Sequence, residues 1–134
     1  MSENDRDAAR LVDSIRATFE SYVTAQSRGD AKAALAHFHR HSPTYESARQ
    51  MLHHLFLNYK LTCTLLGVDI VGTDERHAYA RVRLRTEKVE GPTFRDNVTD
   101  ALIVLREDAG AWKIWNQALL TVEEMQAPES VDGE

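Results

Sequence analysis

The chain has one cysteine, three prolines and no surplus of basic residues, and each shortage removes a class of protein. A lone Cys63 cannot close an intramolecular disulfide, so packing must hold the fold together. Sixteen Lys and Arg against 21 Asp and Glu leave a net charge of −5, which argues against nucleic acid as a partner. Phosphate contact needs a basic surface that releases counterions. No uninterrupted apolar run approaches the roughly 20 residues that cross a bilayer, and no basic start followed by an apolar stretch precedes the first helical pattern. The expectation is a cytoplasmic protein with no membrane attachment. There is no glycine-rich phosphate loop, Ser-His-Asp order or Cys-x-x-Cys pair, so no cofactor is expected.

What remains is 134 residues, 43% hydrophobic and 28% charged, enough for a single domain spanning 1–134 with a continuous core. The ordered core is expected over about residues 8–123, with 1–5 and 125–134 disordered. Leu11, Val12, Ile15, Phe19, Tyr22 and Val23 recur at helical spacing, and Gly29 supplies a left-handed stop. Asp30 N-caps a second helix over "AKAALAHF". Ser42-Pro43 signals a third, with the hydroxyl as cap and proline in the first turn, and Ala48, Met51, Leu52, Leu55 and Phe56 as its buried stripe.

After Tyr59 the apolar period changes from 3.6 to 2, and turn signals fall at Gly72-Thr73-Asp74, Glu90-Gly91-Pro92 and Asp108-Ala109-Gly110. Four strands follow, near 60–71, 77–89, 94–106 and 112–123, joined as hairpins. The predicted fold is α+β: three N-terminal helices packed on one face of a curved four-stranded antiparallel sheet.

Short turns set the register, and the register sets the faces. One assignment places Val82 opposite Asp100, Asp100 opposite Ala118 and Leu102 opposite Asn116. Asp100 and Asn116 then lie together beneath the helices, on a face that should be dry. A buried carboxylate needs a polar partner or must take up a proton, so Asp100 is a candidate for general acid or base, assisted by Tyr22 and Asn116. Phe19, Phe38, Tyr45, Met51, Leu55 and Phe56 would line the pocket, with Asp96 at its rim. The opposite face, with Tyr79, Arg83, Ile103, Trp115 and Leu119, carries more apolar and aromatic surface than solvent requires, so a homodimer is expected there. "HFHRH" brings His37, His39 and His41 together, but no acid accompanies them at metal-ligand spacing, so no metal is expected.

"GPTFRDNVTDALIVLREDAGAWKIWNQALL", with "ARVRLRTEKVEG" before it, resembles a short bacterial SnoaL-like group of the nuclear transport factor 2-like superfamily. The resemblance implies a cone-like α+β barrel with one pocket and a dimer formed by the outer sheet face. It also implies that Asp100 matches polar pocket residues of a central strand, and Tyr22 a pocket tyrosine of the first helix. The chain departs from the family between the second and third helices. His39 to Thr44 is too short for the strand pair that usually carries catalytic acids and bases, so the ketosteroid isomerase base has no matching position.

Two functions follow. One is an isomerase, cyclase or dehydratase acting on a small hydrophobic carbonyl compound. The other is a non-catalytic ligand-binding or dimerisation module.

Overall fold

The computed structural model describes residues 3–125. Three helices precede four strands: α1 (Glu3–Arg28), α2 (Ala31–Leu35), α3 (Tyr45–Asn58), β1 (Lys60–Thr73), β2 (His77–Glu90), β3 (Asn97–Asp108) and β4 (Ala111–Glu124). The strands form one antiparallel meander in the order β1-β2-β3-β4. This is the expected α+β architecture. Residues Glu3 to Asp5 form the first turn of α1, and of the segment expected to be a disordered tail all but Met125 lies outside the described residues.

Helix α1 forms because Ile15, Phe19, Tyr22 and Ala25 fall on one stripe, and all four are buried. Each large apolar side chain on that stripe contributes about 1.5–3 kcal/mol by leaving water. The helix lies across the sheet from β4 to β1. Thr18 Oγ1 donates to the Trp112 carbonyl at 3.0 Å, and at the far end Ser27 Oγ accepts from the Cys63 amide at 2.9 Å. Gly29, at φ 67°, ends α1, and the Asp30 carboxylate accepts from the Ala33 amide to start α2.

Helix α2 stops at Leu35, three residues before the expected end at Phe38. The chain turns there because the backbone at 37–39 is used elsewhere. His39 N donates to the Ile114 carbonyl and Ile114 N to the His37 carbonyl, both at 2.8 Å, which lays this segment parallel to the edge of β4. Ser42 is not the cap of α3. Its hydroxyl donates to the Trp115 carbonyl and accepts from the Thr44 amide, and the helix begins after Thr44. The residues between α2 and α3 therefore form a latch on β4.

The hairpin between β3 and β4 turns through Ala109 and Gly110, both with positive φ, as a two-residue turn of this hand requires. At the β1–β2 turn the Asp74 carboxylate accepts from the amides of Arg76 and His77 and from the Tyr79 hydroxyl at 2.6 Å.

The connection between β2 and β3 differs from expectation and has the largest effect. It spans residues 91–96, and β3 begins at Asn97 instead of Phe94. Phe94 packs against Tyr59 with ring centroids 5.5 Å apart, and Asp96 accepts from the Lys88 amide at 2.8 Å. Neither side chain belongs to the ladder. The register shifts by one residue: Ala101 pairs with Val82, and Asp100 pairs with Arg83. A shift of one turns every side chain of β3 to the other face.

The face beneath the helices therefore carries Val68, Ala78, Ala80, Val82, Ile103, Leu105 and Ile114, all buried in one cluster with Ile15, Phe19 and Tyr22.

Candidate functional site

The sheet curves under α1 and leaves a cavity of about 340 Å³ between helix and strands. Phe19 and Tyr22 form its roof. Its floor comes from Val82 and Leu84 of β2, Ala101 and Ile103 of β3, and Ile114 and Leu119 of β4, with Thr99 and Gln117 as the polar members. The chamber is of the size that holds small ligands, and its lining has the usual composition of such sites: mostly apolar with a few polar groups.

Tyr22 is its most constrained polar group. The residue is only 7% exposed, and its ring packs edge-on against Phe38 at 5.8 Å and against His37 at 6.3 Å. Its hydroxyl makes no hydrogen bond to another described residue. Burial pushes the phenol well above its ordinary value, and the neighbouring Cys63 adds to the shift, so the group stays neutral and can donate a proton in a hydrogen bond. No Asp, Glu, His, Lys or Arg lines the chamber.

The expected triad of Asp100, Tyr22 and Asn116 is not assembled. Asp100 lies on the outer face, where Arg81 Nε is 3.4 Å and Arg83 3.7 Å from its oxygens. Thr121, directly across from it, reaches Asp100 at 3.5 Å. Asn116 pairs with Val104, four residues farther along β3, and its carbonyl oxygen accepts from the Gln117 amide. The buried partner that Asp100 was expected to need is thus an arginine pair outside the core. Asp96 is also away from the chamber, held in the connector by Lys88.

Of the expected lining, Phe19 and Tyr22 are present in the chamber. Phe38 and Met51 instead line a second, smaller cleft of about 240 Å³, together with Thr44, Ser47, Ala48, Asn116 and Gln117. Tyr45 and Phe56 pack against the core from its periphery, and Leu55 is half-buried on α3. Among the residues assigned to a dimer face, Ile103 is buried and lines the chamber, and Leu119, largely exposed, lines it on the same side of the sheet, a consequence of the same register shift. Tyr79 and Arg83 keep the outer side of β2, flanking Arg81. Trp115 lies under the Arg106 guanidinium at 4.4 Å and beside His39 at 5.0 Å.

Besides Ile103 and Leu119, the lining residues not expected there are Val82, Leu84, Thr99, Ala101, Ile114 and Gln117. A signal for the β3 pair was available. The row Thr99, Ala101, Ile103, Leu105 carries no charge, whereas the row Asp100, Leu102, Val104, Arg106 carries two.

Comparison with known proteins adds a fold and a family. Residues 17–125 match the family described as "Anti-sigma-I factor RsgI9, C-terminal domain". No curated protein matches the chain. Among solved structures, a protein of unknown function from Mycobacterium tuberculosis superposes with a TM-score of 0.73 at 12% identity, over 95% of this chain and 78% of that one. A ketosteroid isomerase-like protein from Erwinia carotovora atroseptica gives 0.59 at 18% identity, over 85% and 95%. An NTF-2 like protein of unknown function from Shewanella oneidensis gives 0.62 at 11%, over 80% and 96%. At these identities the likeness is one of fold, and the fold is nuclear transport factor 2-like, as the sequence resemblance implied.

Proposed function

From the premise that this chain belongs to the anti-sigma-I factor RsgI9 C-terminal domain family, we propose that it is a receptor for a small hydrophobic molecule, which it binds without transforming. One observation carries the reading: the chamber contains no group that can take up a proton near neutral pH. Isomerases, cyclases and dehydratases of this fold class need a base within hydrogen-bond reach of the reacting carbon or oxygen. Here the sole ionisable group in the lining is Tyr22, and burial keeps it protonated. A neutral donor on an apolar wall orients a ligand acceptor; by itself it does not move a proton away from carbon.

Binding without turnover fits a regulatory domain, where occupancy is the signal. A ligand at 100 times its dissociation constant stabilises the folded state by about 2.7 kcal/mol. A second copy of the chain on the outer face is part of this proposal, with Tyr79, Leu102, Val104 and Trp115 as its contact residues in place of Ile103 and Leu119.

The test is thermal melting with butylbenzene, an uncharged hydrocarbon of suitable size, on the native chain and on Ala101→Trp, whose indole fills the chamber. Stabilisation of the native chain and none of the variant is the expected result. Equal shifts in both, or none in either, would refute the pocket. Turnover of an enolisable ketone that is lost in Tyr22→Phe would restore the enzyme reading.

A further inference from the structure

The clefts around α1 and the start of α3 divide by charge. The groove between α1 and α2 is lined by Glu20, Arg28, Asp30 and His37, and the one beside the β3–β4 turn by His37 and Lys113. The chamber and the cleft beneath the start of α3 carry no charged or imidazole side chain at all. Those two also share a residue, Gln117, which lines both.

We propose that chamber and cleft are the two halves of one site, joined at Gln117, for an uncharged amphipathic molecule. Its apolar body lies under α1, and its neutral hydrogen-bonding head lies against Ser47, Asn116 and Gln117. This rests on the receptor reading and specifies its ligand.

The two halves differ in what they can satisfy. The deep half presents Phe19, Val82, Leu84, Ile103 and Ile114, with the unpartnered Tyr22 hydroxyl, to which an acceptor on the body can bond. The outer half has an apolar floor of Phe38, Ala48 and Met51, with hydroxyl and amide groups around it. Thr44 is already engaged with Ser42 and the Trp115 carbonyl, and the Asn116 oxygen with the Gln117 amide. The Asn116 NH₂, the Ser47 hydroxyl and the Gln117 side-chain amide make no hydrogen bond to another described residue. Together they offer donors and acceptors to a carboxamide or hydroxyl.

A charged head fits poorly. A cation finds no carboxylate in either lining, and an anion finds no lysine, arginine or histidine. An ion losing water without a counter-charge costs far more than an amide that exchanges water for protein hydrogen bonds.

The experiment compares three probes that share a phenylbutyl body: butylbenzene, 4-phenylbutanamide and 4-phenylbutyrate. Calorimetric titration of the native chain should show the amide binding at least tenfold tighter than either of the others. In Ser47→Ala/Asn116→Ala, whose fold is checked by its melting curve, the amide's advantage over butylbenzene should fall below twofold. Butyrate binding as tightly as the amide would overturn the neutral head. An amide advantage that survives the double substitution would overturn the outer half while the receptor reading stood. Failure of all three probes to bind the native chain would refute both.

Discussion

Arg81 Nε lies 3.4 Å from a carboxylate oxygen of Asp100 on the outer face of the sheet. The aspartate side chain is 12% exposed and the arginine 54%, so the contact is neither a surface pair nor a buried one. Its loss should cost more than an exposed ion pair and less than an uncompensated buried charge. Asp100→Asn is expected to destabilise the fold by about 1–2 kcal/mol, read from the urea midpoint, and to leave chamber binding unchanged. Loss of binding with unchanged stability would return Asp100 to the ligand site.

Tyr22 should titrate late. Its folded pKa is raised, so folding favours the neutral phenol. That contribution is complete below the unfolded value near 10 and disappears as pH rises through the folded value. Alkaline titration followed by tyrosinate absorbance should show one phenol that ionises only as the protein unfolds. In Tyr22→Phe that late phase should be absent, with stability altered by less than about 1 kcal/mol, since no hydrogen bond is lost.

Gly91 should resist substitution. It has φ 128°, and a Cβ there would come within 2.6 Å of the Asn58 carbonyl oxygen at the end of α3. Gly91→Ala is expected to cost more than about 1 kcal/mol by thermal melting, because alanine is strained at this angle and meets backbone that cannot swing aside. An unchanged melting temperature would mean that the connector rearranges at little cost.

That connector also explains what was legible in the sequence. Helical and strand periods are local, so Ile15, Phe19 and Tyr22 on one side and Ala78, Ala80 and Val82 on the other identify their elements and buried faces without help from afar. In β1 and β2, Val68, Ala78, Ala80 and Val82 keep their expected side, but a slip between Leu65 and Gly67 turns Leu66 outward and Leu65 toward the core. The faces of β3 and β4 depend on how many residues lie between Glu90 and the first rung of the next ladder. Two contacts decide that number, one distant and one across the connector itself: Phe94 leaves the strand for Tyr59, and Asp96 caps Lys88. Neither is encoded by spacing. The ends of α2 and the role of Ser42 were hidden for the same reason, since both are set by the edge of β4, some 70 residues away.

Strand β4 holds one residue more than its partner at two places, Trp115 and Leu120, where the pairing with β3 slips. Such insertions bend a ladder and tighten its coil. The hollow under α1 is thus a property of backbone shape, while its chemistry resides in side chains that merely border it. Shape and selectivity are separable here. Relatives with the same two irregularities can keep the vessel and exchange its lining one side chain at a time, so that one scaffold can serve many different occupants.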